Sequence, residues 1–140
     1  MIDTDQKKED LTEVKRTRSV FLELLCIFSF VFFGIIAILF LLSVFYSGWI
    51  TDVVNQYTLK SSYSKAQILI ITLGGFILHA TAFAGAIQIW NLKKSGYYFF
   101  SISTLIAAVY HLIRHNIPVS YTALYIALII LFGLFYRKFR

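Results

Sequence analysis

LLCIFSFVFFGIIAILFLLSVF, running from Leu24 to Phe45, is broken only by Ser29, Gly34 and Ser43. A bilayer's hydrocarbon core, about 30 Å thick, is crossed by roughly 20 apolar residues in helical form, and about 17 suffice. This stretch has that length and carries no charge. It is much longer than the roughly 7 to 15 apolar residues of a cleaved secretory signal, and no small-x-small cleavage pattern follows it, so it reads as a retained transmembrane helix.

Three more apolar runs meet the same test: Ile68 to Trp90, Tyr97 to Ile113 and Val119 to Tyr136. With their flanks, the spans cover about 20–46, 66–91, 97–114 and 119–137, behind a polar cytoplasmic tail over 1–19. Pro118 lies between the last two runs, where a helix breaker belongs if they are separate. The expectation is an all-α fold, a four-helix transmembrane bundle with antiparallel up-down connections. Composition agrees: 59% hydrophobic and 14% charged residues in 140 give a mean hydropathy of +0.74, outside the range of soluble domains, whose surfaces must be wetted.

Lysine and arginine accumulate on the cytoplasmic side of a membrane protein, so their distribution predicts orientation. Of the 13 basic residues, ten fall in the N-terminal tail (Lys7, Lys8, Lys15, Arg16, Arg18), the second connection (Lys93, Lys94) and the C-terminal tail (Arg137, Lys138, Arg140). Lys60, Lys65 and Arg114 fall on the other side. Both termini are therefore expected in the cytoplasm. Trp49, Trp90, Tyr97, Tyr98, Tyr121 and Tyr136 lie near the expected span ends, where an amphipathic ring shelters its body and wets its polar atom. The net charge of +6 is thus a matter of membrane orientation, and no basic soluble face points to nucleic acid. Cys26, the single cysteine, excludes an internal disulfide.

The tail over Met1 to Ser19 mixes five acids with five bases, and Asp10 followed by Glu13 reads as a capping box opening a cytoplasmic extension of the first helix. The outer connection from Tyr46 to Lys65, with Trp49, Tyr57 and Tyr63, is expected to rest on the membrane surface. The second connection, Asn91 to Gly96, is short enough to force a helical hairpin, with Gly96 expected to relieve backbone strain at the turn. Along the second span small residues recur at four-residue spacing. Gly74, Gly75, Ala80, Thr81, Ala84 and Gly85 are expected to carry close helix packing, which makes this span the central one.

An ionisable side chain at bilayer depth is costly and marks a candidate site. At about 1.5 Å per residue, His79 lies roughly 18 Å from Asn91 and His111 roughly 21 Å from Tyr97, so the two can face each other across the hairpin. That is the arrangement axial haem ligation requires, and it makes His79 and His111 the candidate cofactor-binding residues. The plainer expectation is a neutral interhelical hydrogen bond from His79 and no cofactor. His111 and His115 share a helix face, but Arg114 between them repels a cation and no third ligand is near, so no metal is expected. Glu23 is expected to pair with Arg16 and Arg18. A transporter's coupling carboxylate lies deeper, as in the small multidrug resistance exporters that this chain resembles in size. No phosphate loop, nucleophile elbow or zinc pattern is present.

Two stretches, Arg18-Ser-Val-Phe-Leu-Glu-Leu-Leu-Cys26-Ile-Phe-Ser-Phe-Val-Phe-Phe-Gly34 and Gly85-Ala-Ile-Gln-Ile-Trp90-Asn-Leu-Lys93-Lys94-Ser-Gly96-Tyr97-Tyr98, together about a fifth of the chain, resemble a family of uncharacterised small four-span bacterial inner-membrane proteins. The resemblance implies the bacterial inner (plasma) membrane and supplies no activity. The functional expectation is a non-enzymatic structural or accessory membrane subunit working through helix–helix contacts, with the lipid bilayer and a membrane-protein partner or homo-oligomer as its surroundings. The alternatives are a small oligomeric transporter or channel, with His79, Gln88 and Thr81 on the route, and a haem-binding electron carrier using His79 and His111.

Overall fold

The computed structural model describes residues 19–57, 63–114 and 119–139. These form five helices and a 3-10 turn, with no strand among the described residues: α1 (Val20–Phe45), α2 (Ser47–Tyr57), α3 (Lys65–Trp90), α4 (Lys94–Arg114), α5 (Val119–Leu134) and the turn Tyr136–Lys138. The Asp10–Glu13 capping box, the pairing of Glu23 with Arg16 and Arg18, and His115 all involve positions outside the described residues. Three helices, α1, α3 and α4, are long and apolar enough to cross a membrane, which fits a membrane protein. The fourth apolar helix, α5, is shorter, at 16 residues.

Serine caps set where α1 and α3 begin. Ser19 accepts from the Leu22 N–H at 3.3 Å to open α1. Ser64 accepts from the Gln67 N–H at 3.2 Å while the Gln67 side chain accepts from the Ser64 N–H at 2.9 Å, a reciprocal capping box that opens α3. The outer connection between these helices is itself helical over α2. Asn55 near its end clasps Tyr63, donating to the Tyr63 carbonyl at 3.0 Å and accepting from the Tyr63 N–H at 2.7 Å. Trp49 and Tyr57 on α2 are exposed.

α3 packs extensively against both α1 and α4. Its buried residues Ile68, Thr72, His79, Ala82, Ala86 and Ile89 recur at alternating spacings of three, four and seven, the seam that lets helices pack at a shallow crossing angle. Among the small residues expected to pack, Gly75 and Gly85 do so within the chain. The Phe40 ring lies over Gly75, where a Cβ would meet it at 2.5 Å, and a Cβ on Gly85 would lie 2.7 Å from the Phe100 nitrogen. Gly74 faces open space and Ala84 is exposed, so neither packs within the chain: both lie off the buried seam, which runs through Ala82 and Ala86.

The hairpin turn differs from the sequence reading in which residue bears the unusual backbone. Leu92, with φ 56°, takes the left-handed conformation, and no glycine among the described residues has a positive φ. The Leu92 N–H donates to the Ile89 carbonyl at 2.8 Å and the Lys93 N–H to that of Gln88 at 2.9 Å, a Schellman pair that ends α3. A left-handed leucine costs about 1 to 2 kcal/mol. Burial offsets that cost, because the Leu92 side chain is 2% exposed within the core. Gly96 belongs instead to the first turn of α4, where a Cβ would lie 2.6 Å from the Ile89 nitrogen and 2.7 Å from the Gly85 carbonyl oxygen. Its role is close approach of two backbones rather than turn geometry.

Aromatic rings fill the core. Phe33 of α1 meets Phe100 of α4 edge-on with centroids 5.3 Å apart, and Phe100 meets Phe132 of α5 at 4.8 Å. Outward, Ile35, Leu39, Ile70, Ile102, Leu105 and Ile130 are exposed, as on a surface solvated by hydrocarbon.

Candidate functional site

His79 projects from the buried seam of α3 and is 3% exposed. Its Nδ1 lies 2.7 Å from the Gly75 carbonyl oxygen one turn earlier, and its Nε2 lies 3.0 Å from the Tyr125 hydroxyl on α5. A carbonyl oxygen only accepts, so Nδ1 carries the proton. In a ring kept neutral by its depth, Nε2 then accepts from Tyr125. Gly75 makes this possible by leaving room for the Phe40 ring, whose centroid sits 5.2 Å from the imidazole. Phe33 closes another side at 5.9 Å.

Tyr125 joins the two histidines of the sequence reading. His111 of α4 stacks on its ring, with centroids 5.6 Å apart and planes 17° from parallel, while the His79 ring centroid is 6.2 Å from that of Tyr125. Sequence reasoning missed Tyr125. The signal was available: a phenol in the middle of an apolar run, away from the interfacial belt, needs a partner for the same reason as a buried histidine.

The two imidazoles thus occupy one neighbourhood, each against the ring of Tyr125. Haem ligation through His79 would require its nitrogen to give up Gly75 or Tyr125. The Nδ1 of His111 is buried without a hydrogen-bond partner among the described residues. Ser101 Oγ and Thr104 Oγ1, also on α4, are likewise buried without partners. Such an orphan costs roughly 1 to 3 kcal/mol in a folded protein. Among the described residues no group of three His, Cys, Asp or Glu side chains is placed to hold a metal ion.

A cavity of about 230 Å³ opens beside the cluster, between α3 and α4. His79 and His111 contribute to its wall, with Phe40, Gly74, Ile106 and Tyr110 among the other lining residues. On a different face of α3 a shallow groove of about 450 Å³ runs along Ile77, Ala80, Thr81, Ala84 and Gln88, with Phe99 beside it. Thr81 donates to its own helix at the Ile77 carbonyl, and Gln88 accepts from Ser95 Oγ at 2.7 Å.

No protein-family model matches the chain, and no curated protein or solved structure matches it. The functional reading therefore rests on the site itself.

Proposed function

We propose that this protein is a structural membrane subunit, without enzymatic activity, that works by pairing its α3 with the α3 of a second copy. The observation that carries the reading is the outward groove of α3. Ile77, Thr81, Ala84 and Gln88 repeat at spacings of four, three and four, a helix-pairing seam left unfilled by the chain's own helices. Lipid-facing positions have no need of small or polar residues, whereas helix pairing in a bilayer depends on small side chains that let backbones approach. A second copy suits the seam because a two-fold axis along the membrane normal brings each residue against itself. Alanine is small enough for that, and a glutamine amide both donates and accepts.

The topology that goes with this reading has four spans and both termini in the cytoplasm, in the inner membrane of a bacterium. Ten of the 13 lysines and arginines on one side support it. The 16 residues of α5 rise about 24 Å, short of a core about 30 Å thick, so the fourth span is completed by local thinning and by Arg137 and Lys138 reaching the interface.

The test is disulfide trapping in native membranes. With Cys26→Ala as background, Ala84→Cys is expected to give an oxidised product of twice the chain mass, and Ile35→Cys on the exposed face of α1 none. Absence of that product, equal trapping at Ile35→Cys, or an adduct of another mass would each overturn the second-copy reading.

A further inference from the structure

The cavity between α3 and α4 calls for an occupant with two chemical properties at once. Its wall is almost wholly apolar, contributed by Phe40, Ile70, Gly74, Ile106 and Tyr110, yet His111 stands on it with its Nδ1 unpartnered among the described residues. A hydrocarbon chain would satisfy the first property and leave the imidazole unpaired. Water would satisfy the imidazole and be repelled by the rest.

Size narrows the choice. An apolar cavity of about 150 Å³ admits one benzene ring, so about 230 Å³ accommodates one substituted six-membered ring and is too small for a porphyrin. Exit is equally specific. Ile70 and Ile106, both on the wall, are also exposed to the exterior, and Gly74 offers open space where a side chain would stand. A tail attached to the ring can therefore leave sideways into lipid.

We infer that this cavity is a binding site for the ring of a prenyl-tailed quinone. A quinone carbonyl accepts from the imidazole N–H of His111, the flat ring lies among Phe40 and Tyr110, and the tail leaves past Ile70 and Ile106. His79 is not the donor, because Gly75 and Tyr125 already hold its two nitrogens. It fixes the wall that the ring rests against. The proposal concerns binding alone and is independent of pairing through the outer groove, which lies on another face of α3.

The experiment uses the full chain in nanodiscs of quinone-free phospholipid, titrated by calorimetry with a short-tailed benzoquinone, a short-tailed naphthoquinone, and an alkane of matching length. Saturable binding of either quinone but not the alkane is expected, and the preferred quinone identifies the natural source. His111→Phe keeps the ring stacked on Tyr125 and removes the nitrogens; it is expected to weaken quinone binding about tenfold, the factor one hydrogen bond makes. Gly74→Leu, entering space where a Cβ meets nothing, is expected to abolish it. Alkane binding as tight as quinone binding, no saturable binding of either quinone, or unchanged affinity in the two variants would overturn the proposal. Unchanged thermal unfolding of both variants keeps a loss of binding from being read as a loss of fold.

Discussion

Tyr125 donates its hydroxyl to Nε2 of His79 across 3.0 Å, linking the α5 helix to the central α3 helix through a buried polar contact. Because both groups are buried, the cost of removing one partner is set by what is left behind. Tyr125→Phe strands a ring nitrogen and is expected to destabilise the fold by about 1 to 2 kcal/mol. His79→Leu combined with Tyr125→Phe, which leaves neither polar group, is expected to cost less than the sum of the two single changes. Unfolding of the four proteins in mild detergent, read as a double-mutant cycle, checks this. Additive costs would show that the contact contributes nothing.

The close approach of Gly85 and Gly96 gives a second expectation. A methyl group on Gly96 would be driven within 2.6 Å of backbone at Ile89, and backbone cannot swing aside. Gly96→Ala is expected to destabilise the hairpin by about 3 kcal/mol, at the upper end of overpacking costs. Gly74→Ala, in open space on the same helix as Gly85, is expected to be neutral or stabilising by about 0.5 kcal/mol. Thermal unfolding of the two variants side by side tests the contrast, since equal effects would mean that the backbones are farther apart than described.

Leu92 reverses a familiar order of substitution. In an ordinary helical position alanine is better than glycine by about 1 kcal/mol. At φ 56° the order inverts, because glycine alone relieves the backbone while alanine retains only the Cβ of the buried side chain. Leu92→Gly is expected to be the more stable of the two by about 1 kcal/mol, with both less stable than the parent. Denaturation midpoints in one detergent decide it, and alanine ranking first would exclude the left-handed turn.

The long helices were legible because their signal is strong: twenty or more apolar residues without charge leave few alternatives, and Leu24 to Phe45 carries no ambiguity. The central position of α3 was also legible, from glycine and alanine placed where close packing requires them. Its angular setting was not. Gly75 and Gly85 face inward and Ala84 outward because the buried seam follows spacings of three and four, whereas reading small residues at fixed intervals of four drifts around the helix. The turn was misplaced for a related reason. Gly96 looked like the strained residue since glycine usually takes that role, but a buried leucine can bear the strain when its side chain is held. Helix α2 was missed because its eleven residues mix polar with apolar types, and the clasp between Asn55 and Tyr63 is a contact across eight positions that no local pattern reveals. At the candidate site, His79 and His111 announced themselves through the cost of burial, while Tyr125 was hidden among apolar neighbours on a different helix.

The tight backbone contact at Gly85 and Gly96 has a mechanical corollary. It pins α3 and α4 at the end nearest their turn, so the pair can part only as scissor blades do, about a pivot at the two glycines. Displacement then grows with distance from the pivot. It is small at His79, six residues or about 9 Å away, and largest near Ile70, about 22 Å away. A guest wedged between the blades would be admitted from the far end, beside His111, while the imidazole of His79 stays almost still.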